Sequence, residues 1–148
     1  MQSNESNTAK SRRGNSFNKD VAQLMRDLLR NKKIKKFISE PRYNYPSKQK
    51  KQFNPDGEIT ELNGDLIIYD NTTSIRSDRL KQKSWDAYGT KEHFKSQKID
   101  IKYYVITPDD LKTEEKENAR QERQKLQDKE YYNTIDDILT ISELINMI

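Results

Sequence analysis

Two aspartates, Asp56 and Asp70, flank the strongest hairpin signal in the chain and are the residues best placed to do chemistry. The dipeptide Asn63-Gly64 separates two β-prone runs, a pattern typical of a β-hairpin. With a two-residue loop, Asp56 pairs with Asn71 and the two aspartates point to opposite faces of the sheet. With a three-residue loop at 62–64, Asp56 lies directly opposite Asp70 on one face. We favour the three-residue loop, because its last position is left-handed and suits glycine.

Two carboxylates that face each other repel unless a cation lies between them. Mg²⁺ binds carboxylate oxygens, backbone carbonyls and waters, and a bound Mg²⁺ activates water and neutralises charge on a phosphate. The three-residue loop therefore predicts a Mg²⁺ site at Asp56 and Asp70. The alternative is purely structural: Asp56 belongs to a Pro-Asp-Gly turn, and Asp70 closes a strand.

These aspartates need a sheet and flanking helices to hold them in place. The apolar run Leu66-Ile67-Ile68-Tyr69 predicts a central strand that is buried on both faces. The C-terminal apolar run, 138–148, can bury against the core or against a second subunit. The spacing of apolar residues predicts helix 16–30, strand 33–38, loop 39–51, strands 53–62 and 65–75, helix 77–95, strand 99–107, helix 109–128, strand 135–140 and helix 142–148. This order predicts an α/β fold, a mixed sheet with helices packed against it.

The length of 148 residues is that of one domain. Residues 1–16 are rich in Ser and Asn, which predicts a flexible basic N-terminal arm, and residues 17–148 then form the single domain. The chain has no Cys and one His, which excludes disulfides, thiolate metal sites and mechanisms that need two histidines. It has no membrane-spanning apolar run and no signal peptide, so we expect a soluble cytoplasmic protein.

The net charge of +4 conceals a strong asymmetry along the chain. Residues 9–54 hold 14 Lys and Arg against 3 Asp and Glu, whereas residues 109–148 hold 6 against 11. A basic stretch of this density is typical of nucleic-acid binding, because neutralised phosphates release counterions. Its alternative is a solvated face that keeps the protein soluble.

The order of these features resembles a known family. A helix with a basic start, a strand, Pro-Asp, a hairpin and Asp-x-Thr before a basic helix together resemble the PD-(D/E)XK nuclease core, and in particular type II restriction endonucleases. The resemblance covers residues 11–148 and is carried by Pro55-Asp56, by Asp70-Asn71-Thr72, by the lead-in SRRGNSF at 11–17, by YDNTTSIRSDRLKQKSWDAY at 69–88 and by the ending from 101 to 144.

The resemblance implies a restriction-endonuclease-like α-β-β-β-α-β core and a type II endonuclease that hydrolyses double-stranded DNA. Mg²⁺ is the implied cofactor, with Mn²⁺ as its substitute. A homodimer is expected if both strands of a palindrome are cut. A restriction–modification system also implies a cognate methyltransferase as a partner.

Carried over by position, Asp56 is the first metal ligand, Asp70 is the second, and Glu58 assists them. Thr72 stands where the family has a lysine that positions the attacking water, and threonine lacks its charge. Lys81 or Lys83, at the start of the next helix, is expected to take over this role. On the first helix, Asn18 stands where many relatives carry an acid, and Asp20 is the nearest replacement. The expected DNA-binding residues are Arg12, Arg13, Arg42, Arg76 and Arg79.

Two other functions fit the same residues. The first is a non-catalytic DNA- or RNA-binding protein that keeps a nuclease-like fold, which the absence of the motif lysine favours. The second is a module that binds a basic protein through the acidic residues of 109–148.

Overall fold

The computed structural model describes residues 7–46, 48–73, 77–110 and 134–148, with the backbone alone described at 7–13, 48–51, 77 and 78. No helix in these ranges is long and apolar enough to cross a lipid bilayer. In chain order, the helices and strands of these ranges are α1 (Asn7–Arg30), β1 (Lys36–Ser39), β2 (Tyr43–Tyr45), β3 (Lys48–Phe53), β4 (Gly57–Thr60), β5 (Leu66–Asn71), α2 (Ser77–Lys95), β6 (Ile101–Thr107), β7 (Asp137–Thr140) and α3 (Ile141–Met147).

Five strands form one mixed sheet in the order β1-β4-β5-β6-β7. The pairs β1–β4 and β4–β5 are antiparallel, whereas β5–β6 and β6–β7 are parallel. A parallel pair needs a long crossover connection, and α2 supplies it between β5 and β6. The structure thus confirms the predicted α/β fold with a mixed sheet and helices packed on it.

Strand β5 lies at the centre of the sheet and buries side chains on both faces, as its apolar run predicts. Ile68 packs into the layer under α2, together with Leu80, Tyr103 and Val105. The opposite layer contains Ile67 and Tyr69 of β5, Val21 and Met25 of α1, and Ile141 and Leu144 of α3. The C-terminal apolar run therefore packs against the core of its own chain.

Helix α1 begins at Asn7, so the start predicted for it at residue 16 was wrong by nine residues. Lys and Arg are good helix formers, and one glycine, Gly14, costs only about 1 kcal/mol and does not end the helix. Residues 1–6 lie outside the described part of the chain.

The segment 39–51, predicted as a loop, contains β2 and most of β3, which pair as a separate two-stranded antiparallel sheet. Pro41 and Pro46 lie outside both strands, so neither removes a hydrogen bond from the ladder. Because this segment is rich in proline and lysine, its sequence did not predict a hairpin. The predicted helix 109–128 falls almost wholly on 111–133, outside the described residues.

Candidate active site

The turn between β4 and β5 has the three-residue loop that the sequence favoured. The Glu61 N–H donates to the Asp65 carbonyl at 2.8 Å, and the Gly64 N–H donates to the Glu61 carbonyl at 2.9 Å. Gly64 has a φ of 95°, a conformation that favours glycine. The Asn63 side chain accepts the Asp65 N–H at 2.9 Å and braces the loop. Residues 62–64 therefore fix the register of the whole hairpin.

This register brings Asp56 beside Asp70. The ladder ends at the pair Gly57–Tyr69, and the two aspartates are the residues that adjoin this last pair. The Asp56 N–H donates to the Tyr69 carbonyl at 3.0 Å, one residue away from the register of the ladder, and the Asp56 side chain forms a hydrogen bond with that of Asp70. Asp56 is half-buried, and Asp70 is 7% exposed. The three-residue loop is thus confirmed, and the two carboxyl groups meet just beyond the last pair of the ladder.

The surroundings of Asp56 disfavour its negative charge. Burial is the largest cause, followed by a hydrogen bond to Asp70 and repulsion by the Asp70 charge, and together they raise the pKa of Asp56 to about 7. Two contacts act in the opposite direction: the Asn71 N–H, which donates to Asp56 Oδ2 at 2.7 Å, and the Lys83 charge. Asp56 therefore keeps its proton at pH values at which an exposed aspartate is ionised.

Asp70 has two partners that the neighbouring elements supply. Lys83 Nζ lies 3.2 Å from Asp70 Oδ2, and these side chains are 17% and 10% exposed. The Tyr103 hydroxyl donates to the same oxygen at 3.2 Å. Helix α2 begins at Ser77, soon after β5 ends, so its second turn passes the end of that strand.

Of the two lysines expected to replace the motif lysine, the structure brings only Lys83 to the pair. Lys81 is exposed, because residues two apart on a helix lie on different faces. Thr72, at the motif position itself, is 6% exposed, and its N–H donates to the Ile106 carbonyl at 2.8 Å. The lysine at this site thus comes from the helix and not from the strand.

On the first helix, Asn18 and not Asp20 meets the end of β5. Asn71 Nδ2 donates to Asn18 Oδ1 at 3.1 Å, whereas Asp20 is exposed. Among the described residues, the buried Asn71 Oδ1 has no hydrogen-bond partner. The helix therefore contributes an amide where an acid was expected.

Glu58 does not join the aspartates. Its Oε1 accepts the Tyr43 hydroxyl at 2.5 Å, and in the described ranges no group of three or more His, Asp or Glu residues is arranged to hold a metal ion. The structure thus pairs Glu58 with Tyr43 and leaves Asp56 and Asp70 as the two carboxyl groups in contact. Asp56 and Asp70 still match the common Mg²⁺ arrangement, in which one or two carboxylates bind and waters complete the shell.

Of the arginines expected to bind DNA, two have side chains that the structure describes. Arg42 and Arg79 are exposed, and Arg79 precedes Lys83 by four residues, which places both on neighbouring parts of one helix face. Arg76 and the side chains of Arg12 and Arg13 lie outside the described residues.

Sequence reasoning missed two tyrosines of this site. The alternation of Ile101, Tyr103 and Val105 indicates that Tyr103 faces a core, but its contact with Asp70 depends on the register between β5 and β6. Tyr43 lies in the segment 39–51, which was predicted as a loop because β2 itself was not predicted. Neither contact left a local signal in the sequence.

Comparison of the chain with models of protein families, with curated proteins and with solved structures finds no significant match. Any function must therefore be argued from the chemistry of Asp56, Asp70 and Lys83.

Proposed function

We propose that the chain is a metal-dependent endonuclease of the type II restriction class, a cytoplasmic enzyme that hydrolyses phosphodiester bonds in double-stranded DNA. The observation that carries this proposal is the cluster of two carboxyl groups in contact, Asp56 and Asp70, with Lys83 at 3.2 Å from Asp70. Carboxylates that hold a divalent cation and an ammonium group beside them are the groups that phosphodiester hydrolysis needs.

The residues present fit a divalent cation. Burial, and after it the neighbouring Asp70, raises the pKa of Asp56, and a cation between Asp56 and Asp70 allows both to ionise. These two side chains would hold Mg²⁺, or Mn²⁺ in its place. When bound, such a cation stabilises negative charge on the phosphate and lowers the pKa of a bound water.

The other residues of the site orient these groups. The Asn71 N–H holds one carboxylate, and the Tyr103 hydroxyl holds the other. Lys83 is a donor that can position a water or a phosphate oxygen beside Asp70, the role that Thr72 cannot fill. In the reaction, a water oxygen bonds to phosphorus as a P–O ester bond breaks, which leaves a phosphate on one end and a hydroxyl on the other.

DNA binding follows from charge. Residues 9–54 carry a net charge of +11, from 14 basic and 3 acidic residues, and Arg42 and Arg79 are exposed cations. A two-fold dimer would present one site to each strand of a palindrome. Within this proposal, a methyltransferase that modifies the same sequence protects the host DNA.

The test is incubation of the purified chain with plasmid and phage DNA in Mg²⁺, in Mn²⁺ and in EDTA. Discrete fragments that require the metal are the expected result. Asp70→Asn should abolish cleavage and keep DNA binding, because it removes a ligand and a negative charge that repels phosphate. Asp100→Asn, at an exposed carboxylate elsewhere, is the matched control and should cut as well as the wild type.

A binding protein without nuclease activity would give a different result in this experiment. DNA that is retarded on a gel but stays uncut in every metal would reject the nuclease and favour the non-catalytic DNA- or RNA-binding protein. A chain that neither cuts nor binds DNA would reject both functions.

A further inference from the structure

The hairpin of β2 and β3 is a feature that the proposed chemistry does not use. Its ladder pairs Tyr43 with Phe53 and Asn44 with Gln52. Tyr43 and Phe53 are 6% and 3% exposed, whereas Asn44 and Gln52 are both exposed. The hairpin thus has an apolar face against the protein and presents two amide side chains, directly opposite each other, to solvent.

Helix α2 holds this hairpin in a fixed place. The Phe53 ring packs onto the helix backbone so closely that a Cβ atom at Gly89 would lie 2.0 Å from its Cζ. His93 Nδ1 lies 2.9 Å from the carbonyl oxygen of Asn44, and since a carbonyl only accepts, this nitrogen carries the hydrogen. The helix that contains Lys83 therefore also packs against the hairpin and positions it.

The other side of the candidate site holds the hairpin as well. The Tyr43 hydroxyl donates to Glu58, which lies two residues from Asp56 on the same chain segment. The Tyr43 ring also packs edge-on against Phe94, at a centroid distance of 4.9 Å. A ligand seated on the hairpin is thus held in register with both elements that build the aspartate–lysine cluster.

The composition of the hairpin indicates the ligand. Residues 42–53 contain four basic residues, Arg42, Lys48, Lys50 and Lys51, and no acidic residue. A two-stranded β-ribbon fits the major groove of B-form DNA, where Asn and Gln side chains form paired hydrogen bonds with adenine. Basic charge, a ribbon and an outward amide pair are together the chemistry of base recognition in that groove.

We propose that the β2–β3 hairpin is the base-reading element of this protein and lies in the DNA major groove, with Asn44 and Gln52 contacting base edges, adenines above all. This inference rests on the proposed function, since it takes double-stranded DNA as the substrate. Gly89 and His93 follow Lys83 by six and ten residues, about 9 to 15 Å along the helix. The bases that are read therefore lie within one turn of duplex, about 34 Å, of the cleaved bond.

The experiment is selection of bound sequences from a random duplex library in EDTA, which allows binding without cleavage. The full-length wild type is compared with the double variant Asn44→Ala/Gln52→Ala and with Asn146→Ala, an exposed amide on α3, as the matched control. We expect the wild type and the control to select the same adenine-containing sequence. The double variant should bind that sequence about 5- to 100-fold more weakly, because it loses the base contacts.

Salt dependence separates base reading from phosphate binding. The double variant removes no charge, so the slope of log affinity against log salt should stay that of the wild type. As an independent variant, Gly89→Ala, which displaces Phe53, should also weaken sequence preference without changing either amide. Duplex RNA of the selected sequence should not compete, because its major groove is too narrow for a ribbon.

Three results would overturn the inference. One is a double variant that selects the same sequence as the wild type with the same affinity. Another is duplex RNA that competes as well as DNA. The third is a wild type that cleaves DNA but selects no sequence, which rejects base reading and leaves the nuclease intact, whereas a chain that binds no DNA rejects both.

Discussion

Lys83 Nζ lies 3.2 Å from Asp70 Oδ2, so helix α2 delivers a positive charge to the end of strand β5. The two residues are separated by thirteen positions in sequence and meet because the helix starts soon after the strand ends. Both side chains are largely buried, where a charge pair is screened less than at the surface. This contact joins the lysine of the helix to the carboxylate of the hairpin.

Replacement of this lysine tests its role in the proposed reaction. Lys83→Ala should lower the rate of DNA cleavage by about 100-fold or more, because a preorganised donor is lost. DNA binding should stay close to that of the wild type. Cleavage kinetics and a gel-shift assay are the measurements, and Lys95→Ala, an exposed lysine on the same helix, is the matched control. Equal loss in both variants would mean that Lys83 serves only general DNA attraction.

The free energy of unfolding should depend on pH through Asp56. Its pKa in the folded chain is raised to about 7 from an ordinary value of 3.8, by burial and by Asp70, against the opposing effects of Asn71 and Lys83. Between these values the folded chain binds a proton that the unfolded chain releases, so stability falls as pH rises from about 4 to about 7.

Urea unfolding in EDTA at a series of pH values measures this dependence. Asp56→Asn should flatten it across the same window, because the amide does not titrate. If Mg²⁺ binds the pair, its addition should weaken the fall in stability, since the cation replaces the proton. A wild type and an Asp56→Asn variant with parallel pH profiles would contradict the assignment.

The hydrogen bond from Tyr43 to Glu58 should contribute measurably to stability. Tyr43→Phe removes the donor from a partly buried acidic acceptor, at an expected cost of about 1 to 2 kcal/mol in the free energy of unfolding. Tyr45→Phe, on the same strand, is the control and should cost less than about 0.5 kcal/mol. Denaturant unfolding of the two variants gives the comparison. Equal free energies of unfolding would show that the hydrogen bond makes no net contribution to stability.

Two helical glycines should respond to alanine in opposite directions. A Cβ atom at Gly14 in α1 would have no neighbouring atom within 4 Å, so Gly14→Ala should stabilise the chain by about 0.5 to 1 kcal/mol through helix propensity. Gly89→Ala should destabilise it, because the new methyl group overlaps the Phe53 ring. The melting temperatures of the two variants measure both effects. A higher melting temperature in both would mean that the hairpin moves to accommodate the methyl group at position 89 without loss of stability.

The sequence predicted the parts of this structure that local chemistry determines. Helix 77–95 was predicted with both its boundaries, and the hairpin register followed from Asn63-Gly64. A turn of defined length sets which residues of the two strands meet, so Asp56 and Asp70 could be paired without coordinates. Local signals of this kind survive in a single sequence.

The rest depends on contacts between distant segments. Tyr103 meets Asp70 through the parallel register of β5 and β6, and their long helical connection places no limit on that register. The β2–β3 hairpin was missed because a three-residue strand beside two prolines carries little pattern. The hydrogen bond of Glu58 could not be predicted either, because its partner, Tyr43, comes from this hairpin.

The candidate site is sensitive to the gain or loss of one residue in the loop at 62–64. Surface loops generally tolerate a gained or lost residue, and these three positions are exposed to solvent. Here the deletion of one residue would leave a two-residue turn. The side chains of the second strand would then point to the opposite face of the sheet, and Asp70 would be separated from Asp56. Deletion of a single codon could thus separate the two aspartates although both are retained. The candidate site therefore depends on the length of this loop as much as on the acidic residues themselves.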